Sequence, residues 1–184
     1  MKFSIFACLI ASLYLAPAVS VAAPASAYVG QEDRDIKALP PEDINAYLSG
    51  KGMGLARAAE LNGYAGPAHV LELATPLALT PEQRARTEAL FAAMTSKATP
   101  PGQALVAQER KLDRLFATRT VTAELLASSL NEIGVLQTKV REAHLEAHLD
   151  QVAILTAEQN ARYVQLRGYR SSPAATGHGG QHTQ

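Results

Sequence analysis

The chain has 184 residues, with 17 basic against 17 acidic side chains, a single cysteine and no tryptophan. That length suits one domain behind a leader. The balanced charge gives no electrostatic footing for nucleic acid or an anionic membrane surface.

Residues 1–27 read as a secretory signal peptide. Lys2 is a short positive n-region, Phe3 to Leu15 an apolar h-region, and Ala25-Ser26-Ala27 an A-x-A cleavage site. The apolar run is too short for a comfortable membrane span. The expectation is export across the inner membrane of a bacterium, cleavage before Tyr28 and a periplasmic location, without stable membrane insertion. Cys8 falls inside this leader and too early for a lipoprotein site. The mature chain of about 157 residues is therefore held by packing rather than disulfides. It keeps 16 basic and 17 acidic residues, a formal charge of about −1. Alanine, leucine, glutamate, glutamine and arginine, all good helix formers, dominate it.

Residues 28–66 form an N-terminal segment of short helices. Residues 28–39 are polar and loose. Pro40 and Pro41 introduce a helix over Glu42–Leu48, Ser49-Gly-Lys-Gly52 breaks it, and Met53–Asn62 forms a second helix closed by Gly63. Gly50-Lys-Gly-Met-Gly54 lacks the spacing and the preceding strand of a phosphate loop, so it reads as a hinge. Gly63 to Pro67 is a turn, around which Glu60, Tyr64, His69 and Glu72 gather.

Residues 67–170 form the main helical domain, beginning with a short helix over Ala68–Ala74. Leu79-Thr-Pro-Glu-Gln83 then spells a helix start. Thr80 serves as N-cap, Pro81 fits the first position, Glu82 meets the helix dipole, and Gln83 reaches back as the partner of a capping box. Leu90, Phe91 and Met94 give this first long helix an apolar face, and Thr99-Pro-Pro-Gly102 is expected to break or sharply kink it. Helical pattern resumes through Leu105, Leu112, Leu115 and Phe116, and residues 118–121 turn.

Thr122 caps the longest helix, which runs to about Val152. Leu126, Leu130, Ile133, Gln137, Val140, His144 and His148 fall on one stripe, and Leu145, Leu149 and Val152 on another side. Two apolar sides imply two neighbours, one of them a second protomer. Leu155-Thr-Ala-Glu-Gln159 repeats the capping-box motif and opens a last helix ending near Gly168. Residues 171–184 form a disordered tail by composition. No strand pattern occurs, so the fold class is all-α.

His144 and His148, in HLEAH, stand at i and i+4 on one helix face, the spacing of two ligands to one Zn, Ni, Co or Cu ion. Glu146 lies on the opposite face, and the order is not that of HExxH metalloproteases. A third ligand must come from elsewhere, with His69, Glu72, Met53 and Met94 the candidates. The competing reading is that both histidines simply pack in the core or in a dimer interface. His178 and His182 in the Gly-rich tail are further metal candidates. No nucleophile–base–acid arrangement appears: Ser128 and Ser129 are turns away from His144 on the same helix. The chain is therefore not expected to be an enzyme or to require a cofactor.

The two LTxxQ motifs, Leu79–Gln83 and Leu155–Gln159, together with the leader, the all-α pattern and the cysteine-free mature chain, resemble the Spy/CpxP family of bacterial periplasmic proteins over roughly residues 67–169. The resemblance implies a long-helix hairpin that pairs antiparallel into a cradle-like homodimer. Members act as ATP-independent chaperones, as inhibitors of membrane stress sensors, or as metal sensors and metal-binding resistance proteins. Two features depart from the pattern: the Pro100-Pro101-Gly102 interruption, and a charge balance unlike a basic client-binding cradle. The resulting expectation is a periplasmic chaperone or envelope stress-response protein whose partners are unfolded periplasmic proteins or a membrane-bound regulator. The alternative is a heavy-metal sensor or metal-binding resistance protein taking a divalent transition metal.

Overall fold

The computed structural model describes residues 26–169. Most of the expected signal peptide, and the tail with His178 and His182, lie outside that range. Residues 26–32 form a short run of turns, closed by bonds from the Val29 N–H to the Ser26 carbonyl and from the Gln31 N–H to the Tyr28 carbonyl. From Asp33 the chain builds a helical unit. Every regular element among the described residues is a helix: α1 (Pro41–Leu48), α2 (Arg57–Glu60), α3 (Pro67–Glu72), α4 (Pro81–Ala117), α5 (Ala123–Ile154) and α6 (Ala157–Leu166). None of them is long and apolar enough to cross a membrane.

Two long helices make the frame. α4 has 37 residues and α5 has 32, so each extends roughly 50 Å at about 1.5 Å per residue. They run antiparallel through the tight connection at residues 118–122, where the Thr122 side chain caps α5 by accepting from the Leu125 N–H. The seam on α5 is Ser129, Ile133, Leu136, Val140, Ala143, Ala147 and Gln151, all buried, in steps of three and four residues as in a coiled coil. This corrects the expected stripe. Ile133 and Val140 belong to both, but Leu130 is 52% exposed and Gln137 lies outside. Helical periodicity cannot say which flank of Ile133 and Val140 meets the partner when both carry apolar residues. The small side chains of Ser129, Ala143 and Ala147 decide it, because they let the helices approach closely.

The expected break at Thr99–Gly102 does not occur, since α4 runs unbroken through Pro100 and Pro101. The two carbonyls that lose their N–H partners belong to Ser96 and Lys97, which are exposed and open to water. The inner side of the same turn is fully committed. Ala98 is buried in the seam, and Gly102 lies against the backbone of Tyr47, so α1 crosses α4 there with no room for a Cβ. Packing on α1 and α5 outweighs the helix-breaking tendency of the prolines.

At the other end of the hairpin, Ala65, Val70, Leu77, Leu155 and Tyr163 form a core, with Leu73, Leu79 and Leu166 packed against it. Both LTxxQ leucines thus pack into the junction where α4 begins and α5 ends, Leu155 buried and Leu79 partly so. Both expected capping boxes are present. The Thr80 hydroxyl accepts from the Gln83 N–H at 3.1 Å, and the Gln83 side-chain oxygen accepts from the Thr80 N–H at 3.1 Å. The Thr156–Gln159 pair repeats this at 3.2 and 2.9 Å.

Candidate functional site

The N-terminal segment does not form the whole of the short second helix expected over Met53–Asn62; α2 is a single turn, and residues 53–56 are turns. Gly54 has φ +81°, and Met53, between two glycines, is held at φ +44°, a left-handed conformation that a side chain resists. This irregular segment folds back over α5 and roofs its histidines with glycines. A Cβ on Gly52 would lie 3.1 Å from the His144 ring, and one on Gly66 would lie 2.7 Å from the His148 ring. A side chain at Gly66 would force the His148 ring to shift, and one at Gly52 would press tightly on the His144 ring.

Beneath the roof is a cleft of about 730 Å³ bounded by α2, α3, α4 and α5. His144 and His148 line it together with Met53, Met94, His69 and Glu72. Every third-ligand candidate named from the sequence therefore borders the same space as the histidine pair. His69 and Glu72 already engage one another, Nδ1 to Oε2 at 2.9 Å, on the exposed face of α3. Glu146 points away from the cleft and pairs with Lys97.

The two histidines differ in their surroundings. His148 Nδ1 lies 2.8 Å from the Tyr64 carbonyl. A carbonyl only accepts, so Nδ1 carries a proton and donates, and Nε2 is the nitrogen of this ring that could take a metal. His144 is 4% exposed, and its Nε2 is buried with no hydrogen-bond partner. Burial, reinforced by the nearby His148, pulls the His144 pKa below its ordinary value, so the ring is neutral at neutral pH. A buried, neutral, unpartnered imidazole is the protonation state a metal requires. Among the described residues, however, no three His, Cys, Asp or Glu side chains are arranged to hold one ion. The histidine pair fits a metal as an anchor, and any completion needs a different kind of donor.

One wall of the cleft was invisible in the sequence. Glu60 Oε1 accepts from the Tyr163 hydroxyl at 2.6 Å, from Arg167 Nε at 3.0 Å and from the Tyr169 hydroxyl at 3.0 Å. Burial, then the Glu60 bond, raises the Tyr163 pKa and keeps the phenol protonated as a donor. Glu60 Oε2 is buried without a hydrogen-bond partner, 3.8 Å from His148 Nδ1. Tyr163, Arg167 and Tyr169 follow Glu60 by more than a hundred positions, and no local spacing links them. Only the clustering of Glu60 with the turn hinted that this corner is built.

A family model described as heavy-metal resistance matches residues 51–162. The chain belongs to this heavy-metal resistance family. The matched range holds both LTxxQ motifs, the His144–His148 pair, and all of the cleft described above except its first and last few residues. The family falls within the wider LTxxQ group that also takes in Spy and CpxP, which gives the coarse form of the resemblance. No curated protein and no solved structure matches the chain.

Proposed function

We propose that this member of the heavy-metal resistance family is a periplasmic metal-binding protein that senses or buffers a transition metal, with His144 and His148 as its anchoring ligands. The observation that carries the reading is the buried His144 Nε2, free of any partner, beside a His148 whose Nδ1 donates to the Tyr64 carbonyl and leaves Nε2 as the nitrogen that could take a metal. The protein performs no catalytic step in this reading. Titration calorimetry of the mature chain with Zn²⁺, Ni²⁺, Co²⁺ and copper tests it. Binding at micromolar or tighter affinity, lost in a His144→Ala/His148→Ala double variant, is the expected result. No heat above the buffer blank with any ion overturns it.

A second reading, an ATP-independent chaperone or stress-response binding protein of the Spy/CpxP type, is favoured by a separate observation. Leu125, Leu130, Val135 and Leu149 stand exposed along α5, with Leu149 58% exposed. Apolar side chains left exposed on this helix suit contact with a second protomer in a cradle-like dimer or with an unfolded client. Suppression of aggregation of a heat-treated model protein by the mature chain, without ATP, supports this reading. No effect at a large molar excess removes it.

A further inference from the structure

We propose that the cleft is built for a soft monovalent ion, Cu(I) or Ag(I), bound by the thioethers of Met53 and Met94 together with the imidazoles of His144 and His148. The inference rests on the metal-binding reading and specifies the ion it serves. The chain has three methionines, one of them Met1. The other two, 41 residues apart in sequence, both line this cleft.

Their placement is not incidental to the histidines. Gln151 Nε2 donates to the Thr87 hydroxyl at 3.1 Å across the α4–α5 seam. One heptad further along α4 is Met94, and one heptad back along antiparallel α5 is His144. The register therefore sets Met94, 9% exposed, opposite His144. Met53 arrives from the other side. It follows Gly52, whose backbone covers the His144 ring, and it is held at φ +44° in a turn closed by the Leu55 N–H on the Gly52 carbonyl at 2.6 Å. The Gly50–Gly54 segment thereby acquires a role: glycines on both sides of Met53 permit the tight turn that carries this thioether to the cleft.

The donor chemistry selects the ion. Zn²⁺ wants four nitrogen, oxygen or thiolate donors, and among the described residues no three His, Cys, Asp or Glu side chains converge to hold one ion. Thioether sulfur is soft and neutral, so it adds little for Zn²⁺ but binds Cu(I) and Ag(I) well. Two imidazoles and two thioethers can coordinate a monovalent ion, which brings only a single positive charge into this partly buried site, beside the buried, unpartnered Oε2 of Glu60.

The test uses the mature chain with Ag⁺ and, under anaerobic conditions, Cu(I) in competition with a chromophoric Cu(I) chelator. Met→Leu conserves volume, so packing in the seam is kept while the sulfur is removed. The wild type is expected to bind one Ag⁺ or Cu(I) per chain. Met53→Leu, at an exposed site that cannot compromise the core, should weaken binding about tenfold, and Met53→Leu/Met94→Leu about a hundredfold, with Zn²⁺ titrations little changed. Unaltered Ag⁺ and Cu(I) affinity in the Met53→Leu variant overturns the proposal. Binding of Zn²⁺, Ni²⁺ or Co²⁺ by a wild type that ignores Ag⁺ and Cu(I) overturns it while leaving the metal-binding reading intact. No binding of any ion overturns both.

Discussion

The side-chain amides of Gln83 and Gln159 are hydrogen-bonded to each other in both directions: Gln83 Nε2 donates to Gln159 Oε1 at 2.7 Å, and Gln159 Nε2 to Gln83 Oε1 at 2.9 Å. Each oxygen also accepts from its own cap residue, and each nitrogen also donates to a carbonyl across the junction, Gln83 to Ile154 and Gln159 to Leu77. The repeated motif is therefore one interlocked structure, in which two helix starts cap themselves and then clasp one another. Gln83→Ala and Gln159→Ala should each cost about 1–3 kcal/mol by stranding partly buried partners. The double variant should cost less than the sum of the two, with a coupling energy of at least about 0.5 kcal/mol. Urea unfolding of the four proteins measures it, and strict additivity would contradict the clasp.

Pro100 and Pro101 lie in a continuous helix, so they remove backbone bonds that alanine would restore. Replacing both should stabilise the protein by about 1–3 kcal/mol, because the helix already exists and needs no rearrangement. Gly102→Ala should do the reverse. Its methyl group would collide with the Tyr47 backbone where α1 crosses, for a loss of about 1–3 kcal/mol from overpacking. Thermal melts followed by circular dichroism distinguish the two directions.

Gly66→Ala tests the roof over the histidines. The added carbon would lie 2.7 Å from the His148 ring, so the ring must turn away and release the Tyr64 carbonyl. Metal affinity should fall about 10- to 100-fold, the range seen when groups that orient a ligand are lost, with helix content retained. Calorimetry on a variant shown by circular dichroism to be folded checks this, and wild-type affinity would show that His148 orientation is irrelevant.

The lowered pKa of His144 has a defined sign. Below the ordinary histidine value of 6.5, the unfolded chain binds a proton that the folded chain refuses. Stability is therefore intact above that pH and declines as pH falls from there through the folded-state value. His144→Gln should lose less stability than the wild type between pH 7.5 and 5.5. Denaturant midpoints at the two pH values provide the comparison, and parallel losses would mean that His144 does not titrate on unfolding.

The apolar side chains left exposed on α5 predict an assembly. Small-angle scattering of the mature chain should report an elongated particle of twice the chain mass, and Leu130→Lys/Leu149→Lys should return it to monomer mass without unfolding. A wild-type monomer would leave these side chains free for clients rather than for a second copy.

Local chemistry was enough to establish the helical class, both capping boxes, the Thr122 cap and the pairing of His144 with His148 on one face. These depend on spacings of three and four residues and on side chains that bond their own backbone, so neighbours in sequence decide them. The tertiary structure alone decided which flank of α5 became the seam, because that depends on how closely small side chains let α4 approach. It also decided that α4 survives two prolines, since bonds lost on the water side are outweighed by contacts on the other. The cleft likewise exists only in three dimensions: Gly52, Gly66, Met94 and Glu60 reach the histidines across separations that no local pattern encodes.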